Sequence, residues 1–232
     1  MPPSVVTEIE RIESTGREPI SDPGRSDVFP PRPGKELRRL PLTARYLLGY
    51  LIYNDGIQTV IVAASTFLEQ ELFPGGNPVF LLEIFLMVQF VAVAGALLFE
   101  RLAYLMTTKN AIIVSLIIWA GIVIYAYGFL NTVPEAWVLA GVIAIVLGGS
   151  QALSRSLFSK MIPEGKEASF FGLYEVSERG TSWMGPLLFS LVVSRTGSYR
   201  LALLSLIFFF VVGLIVLWIT DTDRAIRESQ EA

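Results

Sequence analysis

Six apolar runs, each long enough to cross a bilayer, constrain this chain more than any other feature. They cover Tyr46–Leu68, Pro78–Phe99, Ala111–Leu130, Trp137–Leu157, Phe170–Ser194 and Leu201–Ile219. A helix rises about 1.5 Å per residue, so about 20 residues match a hydrocarbon core about 30 Å thick. That core holds no water to satisfy backbone groups, so such runs must bond internally as helices. The sequence predicts an all-α integral membrane protein with six transmembrane helices. A mean hydropathy of +0.57, gathered into bilayer-length blocks, excludes an ordinary soluble domain.

What the chain lacks narrows its chemistry. It has no cysteine, which excludes disulfides, thiolate nucleophiles and cysteine metal sites. It has no histidine, so any proton relay near neutral pH must use carboxylates. No span holds a close pair of aspartates, and an intramembrane enzyme has little support. No cofactor, metal or nucleic acid is expected; the lipid bilayer is the first partner.

Three segments follow. Residues 1–41 carry eight of the thirteen prolines and a balanced set of charges, with almost no apolar clustering. Such a stretch cannot offset its ordering entropy by burial, and it reads as a disordered cytoplasmic segment without a secretory signal. Its end (Lys35, Arg38, Arg39) reads as a solvated topology signal or a short basic surface helix. Residues 42–220 form the six-helix domain and 221–232 a cytoplasmic tail. Basic residues gather on alternate loops, at Arg101 and Lys109 and at Lys160 and Lys166, on the same side as both ends. The positive-inside rule places both termini in the cytoplasm, and an even number of spans requires them to share a side.

Ionisable residues inside hydrocarbon are costly and usually face a bundle interior or a watery pathway. Spans three and six have none and can face lipid all round. The others carry Tyr53, Asn54, Asp55 and Gln58; Glu83 and Gln89; Ser150, Gln151, Ser154 and Arg155; and Tyr174, Glu175, Glu178, Arg179 and Ser182. Within each group of three helices, two look inward, as in two repeats packed around a cavity. Asp55 lies near mid-bilayer, with Gln58 one turn from Asn54. It reads as a solute- or proton-binding carboxylate flanked by amides, or as a polar packing cluster. Tyr53, Glu83 and Gln151 join the candidate binding set. Glu175 and Arg179 have the i, i+4 spacing of a helical ion pair, and Arg155 is placed to approach Glu178. These four form either a gate or a permanent structural bridge. Gly180, Gly185 and Pro186 mark a bend in span five.

Three ordered motifs carry a resemblance. Tyr46-Leu-Leu-Gly-Tyr-Leu-Ile-Tyr-Asn-Asp-Gly-Ile-Gln-Thr-Val60 resembles the start of the second half of vacuolar amino-acid effluxers. These form the autophagy-related branch of the major facilitator superfamily, with bacterial relatives in the unknown-major-facilitator family. Gly148-Gly-Ser-Gln-Ala-Leu-Ser-Arg-Ser-Leu-Phe158 and Phe170-Phe-Gly-Leu-Tyr-Glu-Val-Ser-Glu-Arg-Gly-Thr-Ser-Trp-Met-Gly-Pro186 are similar to two further signatures of that family. The superfamily's loop motif between spans two and three is degenerate: Ala96 stands for its glycine, Glu100 for its aspartate, and Arg101 matches.

The resemblance implies one major-facilitator-type half bundle, a secondary carrier moving small solutes, amino acids first, by alternating access. Family members have about twelve spans, and this chain carries six. The expected partner is a second copy or a separate N-terminal six-span half. The alternative is a truncated, transport-incompetent fragment or a membrane subunit that needs a partner half. The expected location is the cell (inner) membrane, or the vacuolar membrane if the source is fungal.

Overall fold

The computed structural model describes residues 37, 39–73 and 76–231, and all regular structure among them is helical. The proline-rich stretch expected over 1–41, including its basic end, lies outside the described residues apart from Leu37 and residues 39–41.

Prolines start three of the long helices, where a missing N–H costs nothing because the first-turn donors have no intrahelical partner. Helix α1 spans Pro41–Glu71, α2 Pro78–Met106 and α4 Val133–Ser159. The side chain of Asn77 accepts from the backbone N of Phe80 at 3.1 Å and caps α2. Glu135 reaches back to the N–H groups of Asn131 (2.8 Å) and Thr132 (3.0 Å) at the start of α4. Helix α3, Thr108–Gly128, follows α2 after the single residue Thr107. Helices α7 (Tyr199–Ser205) and α8 (Ile207–Ile219) are separated only by Leu206 and together make one apolar stretch. The stretch expected as a tail carries helix α9, Thr222–Gln230, capped by Asp221.

Five of these units, α1, α2, α3, α4 and the α7–α8 pair, are long and apolar enough to cross a membrane. The fifth predicted span differs. Instead of one bent helix there are two, α5 (Glu167–Thr181) and α6 (Met184–Thr196), broken at Ser182 and Trp183. Pro186 explains the position, because its ring excludes the carbonyl of Ser182 four residues earlier from helical bonding. Counted from Met184, Pro186 then falls in the first turn of a new helix, where it is tolerated.

Helix α1 is the hub, packed against α4 through α9. Gly56 meets the side chains of Phe209 and Phe210, and Gly213 meets Tyr53, so α1 and α8 approach closely. Helices α2 and α4 approach closer still. A Cβ at Gly95 would strike the backbone of Ile145, one at Gly148 the backbone of Ala92, and one at Gly149 the ring of Phe99. The lipid-facing expectation for span three does not hold: α3 buries Ile112, Leu116, Trp119 and Val123 against α4 and α8. Trp119 stacks on Phe210 with ring centroids 5.7 Å apart. An apolar surface can face either lipid or a neighbour, and composition alone does not choose. Helix α2 is the exposed one, presenting Leu82, Phe90 and Leu97 outward. Contiguous exposed apolar surface of this kind suits a bilayer or another membrane helix.

Candidate functional site

The described polar groups of the bundle concentrate where α1, α4, α5 and α6 meet. Tyr46, Tyr50 and Tyr53 recur at i, i+4 and i+7, so they share one face of α1. Tyr46 donates to the backbone O of Ser154 (2.8 Å), and Tyr53 shares a 2.6 Å bond with Ser154 Oγ. Ser154 in turn donates to Ser150 O one turn back at 2.5 Å. Tyr50 stacks on Tyr174 with centroids 4.5 Å apart and donates to Glu178 Oε2 at 2.9 Å. A buried phenol needs such a partner, and each of these three hydroxyls has one.

This network redistributes the charges from the pairing that spacing predicts. Glu175 pairs with Arg155 of α4 rather than with Arg179, and the Arg155 guanidinium lies 5.8 Å from the centre of the Tyr174 ring. Glu178 is taken by Tyr50 rather than by Arg155. Arg179 is exposed and has no ion-pair partner among the described residues.

A cleft of about 370 Å³ opens beside these groups, lined by Gln58 and Thr59 of α1, by Glu175, Glu178 and Arg179 of α5, and by Ser182 and Pro186 around the break. It holds an amide, hydroxyls, two carboxylates and a guanidinium. A second cavity, about 140 Å³ and walled by α1, α2, α3, α4 and α7, is apolar apart from Gln89.

Other predicted residues fall elsewhere. Glu83 and Gln89 are exposed on α2, and Gln151 is exposed on α4, none of them in the polar cleft. Asn54 is buried in α1. Asp55 is 2% exposed and does not line the cleft. Its Oδ2 accepts a 2.6 Å hydrogen bond from the backbone N of Gly185, on the first turn of α6. Gly185 permits that approach, since a Cβ there would meet Thr59 Oγ1. Gly180 is exposed near the end of α5.

Sequence reading passed over Tyr46, Tyr50 and Thr59. The tyrosine periodicity was available as a signal; the role of Thr59 depends on where α6 docks. At the opposite end of α1, Arg200 of α7 bonds Glu71 (2.7 Å) and the carbonyls of Leu130 (2.7 Å) and Tyr127 (3.2 Å). Counted by charge it looks like an ordinary loop residue, yet it ties three helix ends together.

A family model described as vacuole effluxer Atg22 like matches residues 32–230, nearly all of the described bundle. The chain belongs to this family. The uncharacterized MFS-type transporter YxiO of Bacillus subtilis (strain 168) is 34% identical over 197 residues, covering 85% of this chain and 45% of that protein. Autophagy-related protein 22 of Kluyveromyces lactis is 34% identical over 211 residues, covering 85% and 42%. Its counterpart in Eremothecium gossypii is 34% identical over 200 residues, covering 80% and 38%. The chain therefore spans less than half the length of these curated relatives. No solved structure shows significant similarity to it. As an Atg22-like protein with five helical units of membrane-crossing length and apolarity among its described residues, it is an integral membrane protein of a major-facilitator transporter family.

Proposed function

We propose that this chain forms one six-crossing half of a secondary carrier that moves small solutes, amino acids first, by alternating access. The observation that carries the reading is the polar cleft on otherwise apolar helices. The guanidinium of Arg179, without an ion-pair partner among the described residues, stands in it beside the carboxylates of Glu175 and Glu178 and the amide of Gln58. A zwitterion needs that pairing: a planar cation to hold its carboxylate and acceptors to hold its ammonium. Arg155 and Glu175, whose side chains are both exposed, form the pair that a moving partner can break and remake.

In this reading α5 and α6 together make the fifth crossing and the α7–α8 pair the sixth. Thr43 bonds to Met161 O and Ser229 to Lys160 O, so the start of α1, the loop after α4 and helix α9 share one end of the bundle. The excess of basic residues at that end supports a cytoplasmic assignment for it, in the cell membrane or, in a fungus, the vacuolar one. The domain plan follows as a 1–41 cytoplasmic segment, a 42–220 transport domain and a 221–232 tail. Exposed Glu83, Gln89 and Gln151 support a second six-crossing half, a copy of this chain or a separate one, that shields them from lipid.

Flux of labelled amino acids into proteoliposomes holding the complete assembly tests the reading. Arg179→Gln should abolish uptake while leaving membrane insertion intact. Equal uptake by the variant would remove the cleft from the transport path. Native mass in nanodiscs tests the partner: a dimer or a complex with another half supports a complete carrier, and a lone 25.6 kDa chain supports the inactive alternative.

A further inference from the structure

Asp55 takes part in neither the cleft nor any ion pair among the described residues. Its Oδ2 is bound to Gly185 N, and its Oδ1 is buried without a hydrogen-bond partner among the described residues. Helix α6 has Trp183 at its cap position and no side-chain cap of its own. Asp55, 130 residues away in sequence, supplies the missing acceptor from a different helix. The carboxylate thus faces the positive end of the α6 dipole through one oxygen only. An ionised carboxylate in a dry site needs partners for both oxygens. A proton on Oδ1 removes the charge that the surrounding helices leave half compensated.

We propose that Asp55 is the site of a coupling proton, and that its protonation loosens the α1–α6 cap and shifts the first turn of α6 against the solute cleft. The proposal rests on the carrier reading above and adds the ion to it. A neutral acid accepts a weaker bond from the Gly185 N–H than an anion does, and it loses the attraction of the helix end. The shift reaches the cleft by a short route. Thr59, one turn beyond Asp55, donates to Asp55 O at 2.7 Å and lines the cleft with Ser182 and Pro186, which flank the break.

The surroundings leave Asp55 as the ionisable group at this contact. Helix α8 brings Phe209 and Phe210 to the adjacent Gly56, and α6 carries Arg195 only at its far end. From α5, Glu175, Glu178 and Arg179 face the cleft, and Arg155 of α4 is held by Glu175. Arg200 of α7 binds Glu71 at the opposite end of α1. The charges of α9 lie near the start of α1, beyond the Ser229–Lys160 contact.

The chain has no cysteine, so Ser182→Cys creates a single labelling position at the break. A spin label there, in the full chain in nanodiscs, should change mobility as pH falls. In an Asp55→Asn background the label should stay in the acid form at every pH, because an asparagine amide mimics the neutral acid and keeps an oxygen for Gly185. Glu178→Gln should leave the pH response in place. An unchanged response in Asp55→Asn, a response lost in Glu178→Gln instead, or no response in the parent would overturn the proposal. The label reads conformation without any solute, so failure of amino-acid flux with an intact Asp55-dependent response would sink the carrier reading alone.

Discussion

Asp55 and Gly185 are joined by a 2.6 Å hydrogen bond from a backbone N–H to a carboxylate oxygen, and that bond caps a helix with a residue of another helix. The arrangement follows from the break in the fifth crossing. A new helix start leaves N–H donors without intrahelical partners, and the buried Gly185 must find its acceptor elsewhere. Removing that acceptor while leaving the donors buried costs about 1–3 kcal/mol. Asp55→Ala should therefore lower the thermal unfolding midpoint in mild detergent, with Asp55→Asn retaining most of it. An unshifted Asp55→Ala midpoint would show that the cap contributes nothing.

The close approach at Gly185 has its own consequence. Gly185→Ala places a Cβ against Thr59 Oγ1 and the backbone O of Asp55, so α6 must move away from α1. The expected result is a loss of folded yield by size-exclusion chromatography. Gly172→Ala, where a Cβ meets open space, serves as the control and should behave as the parent.

At the other end of α1, Arg200 holds a carboxylate and two backbone carbonyls at once. Hydrogen bonds to a charged group contribute about 1.5–3 kcal/mol, and a lysine lacks the planar fork that reaches several acceptors. Arg200→Ala should destabilise the bundle by that order, and Arg200→Lys should recover only part of it. Thermal unfolding of both variants checks this, and full recovery by lysine would reduce Arg200 to a point charge.

Helix α9 depends on Asp221, whose carboxyl is held below its ordinary value of 3.8 first by the hydrogen bond from Arg224 N. A depressed folded-state value means that the stabilisation is complete above the unfolded value and is lost as pH falls through the lower, folded one. A fluorophore on Ser229→Cys should report undocking of α9 only under strongly acidic conditions. Asp221→Asn should remove that acid dependence.

The packing of α2 on α4 leaves no room for side chains at Gly95 and Gly148, where each glycine faces backbone. Gly148→Leu should prevent folding, whereas Gly141→Leu on the same helix, facing open space, should not. In-gel fluorescence of tagged variants separates the two.

Membrane insertion, the helical class and the family were all legible in the sequence, because each depends on local properties. Run length and apolarity decide whether a segment crosses a bilayer, and the three ordered motifs survive as contiguous text. Pro186 marked only a bend locally; the ring that excludes the Ser182 carbonyl goes with a full break between α5 and α6. Partners were not legible locally. Spacing along one helix favours Glu175 with Arg179, but Arg155 arrives from α4 and takes Glu175, and Tyr50 arrives from α1 and takes Glu178. Apolar composition left α3 free to face lipid, yet packing buries Trp119 against Phe210. Asp55 shows the division most sharply. A costly carboxylate mid-helix in a membrane protein is legible in the order of residues alone. That it closes the end of α6 emerges from packing, because its partner is a backbone donor exposed by a break 130 residues away.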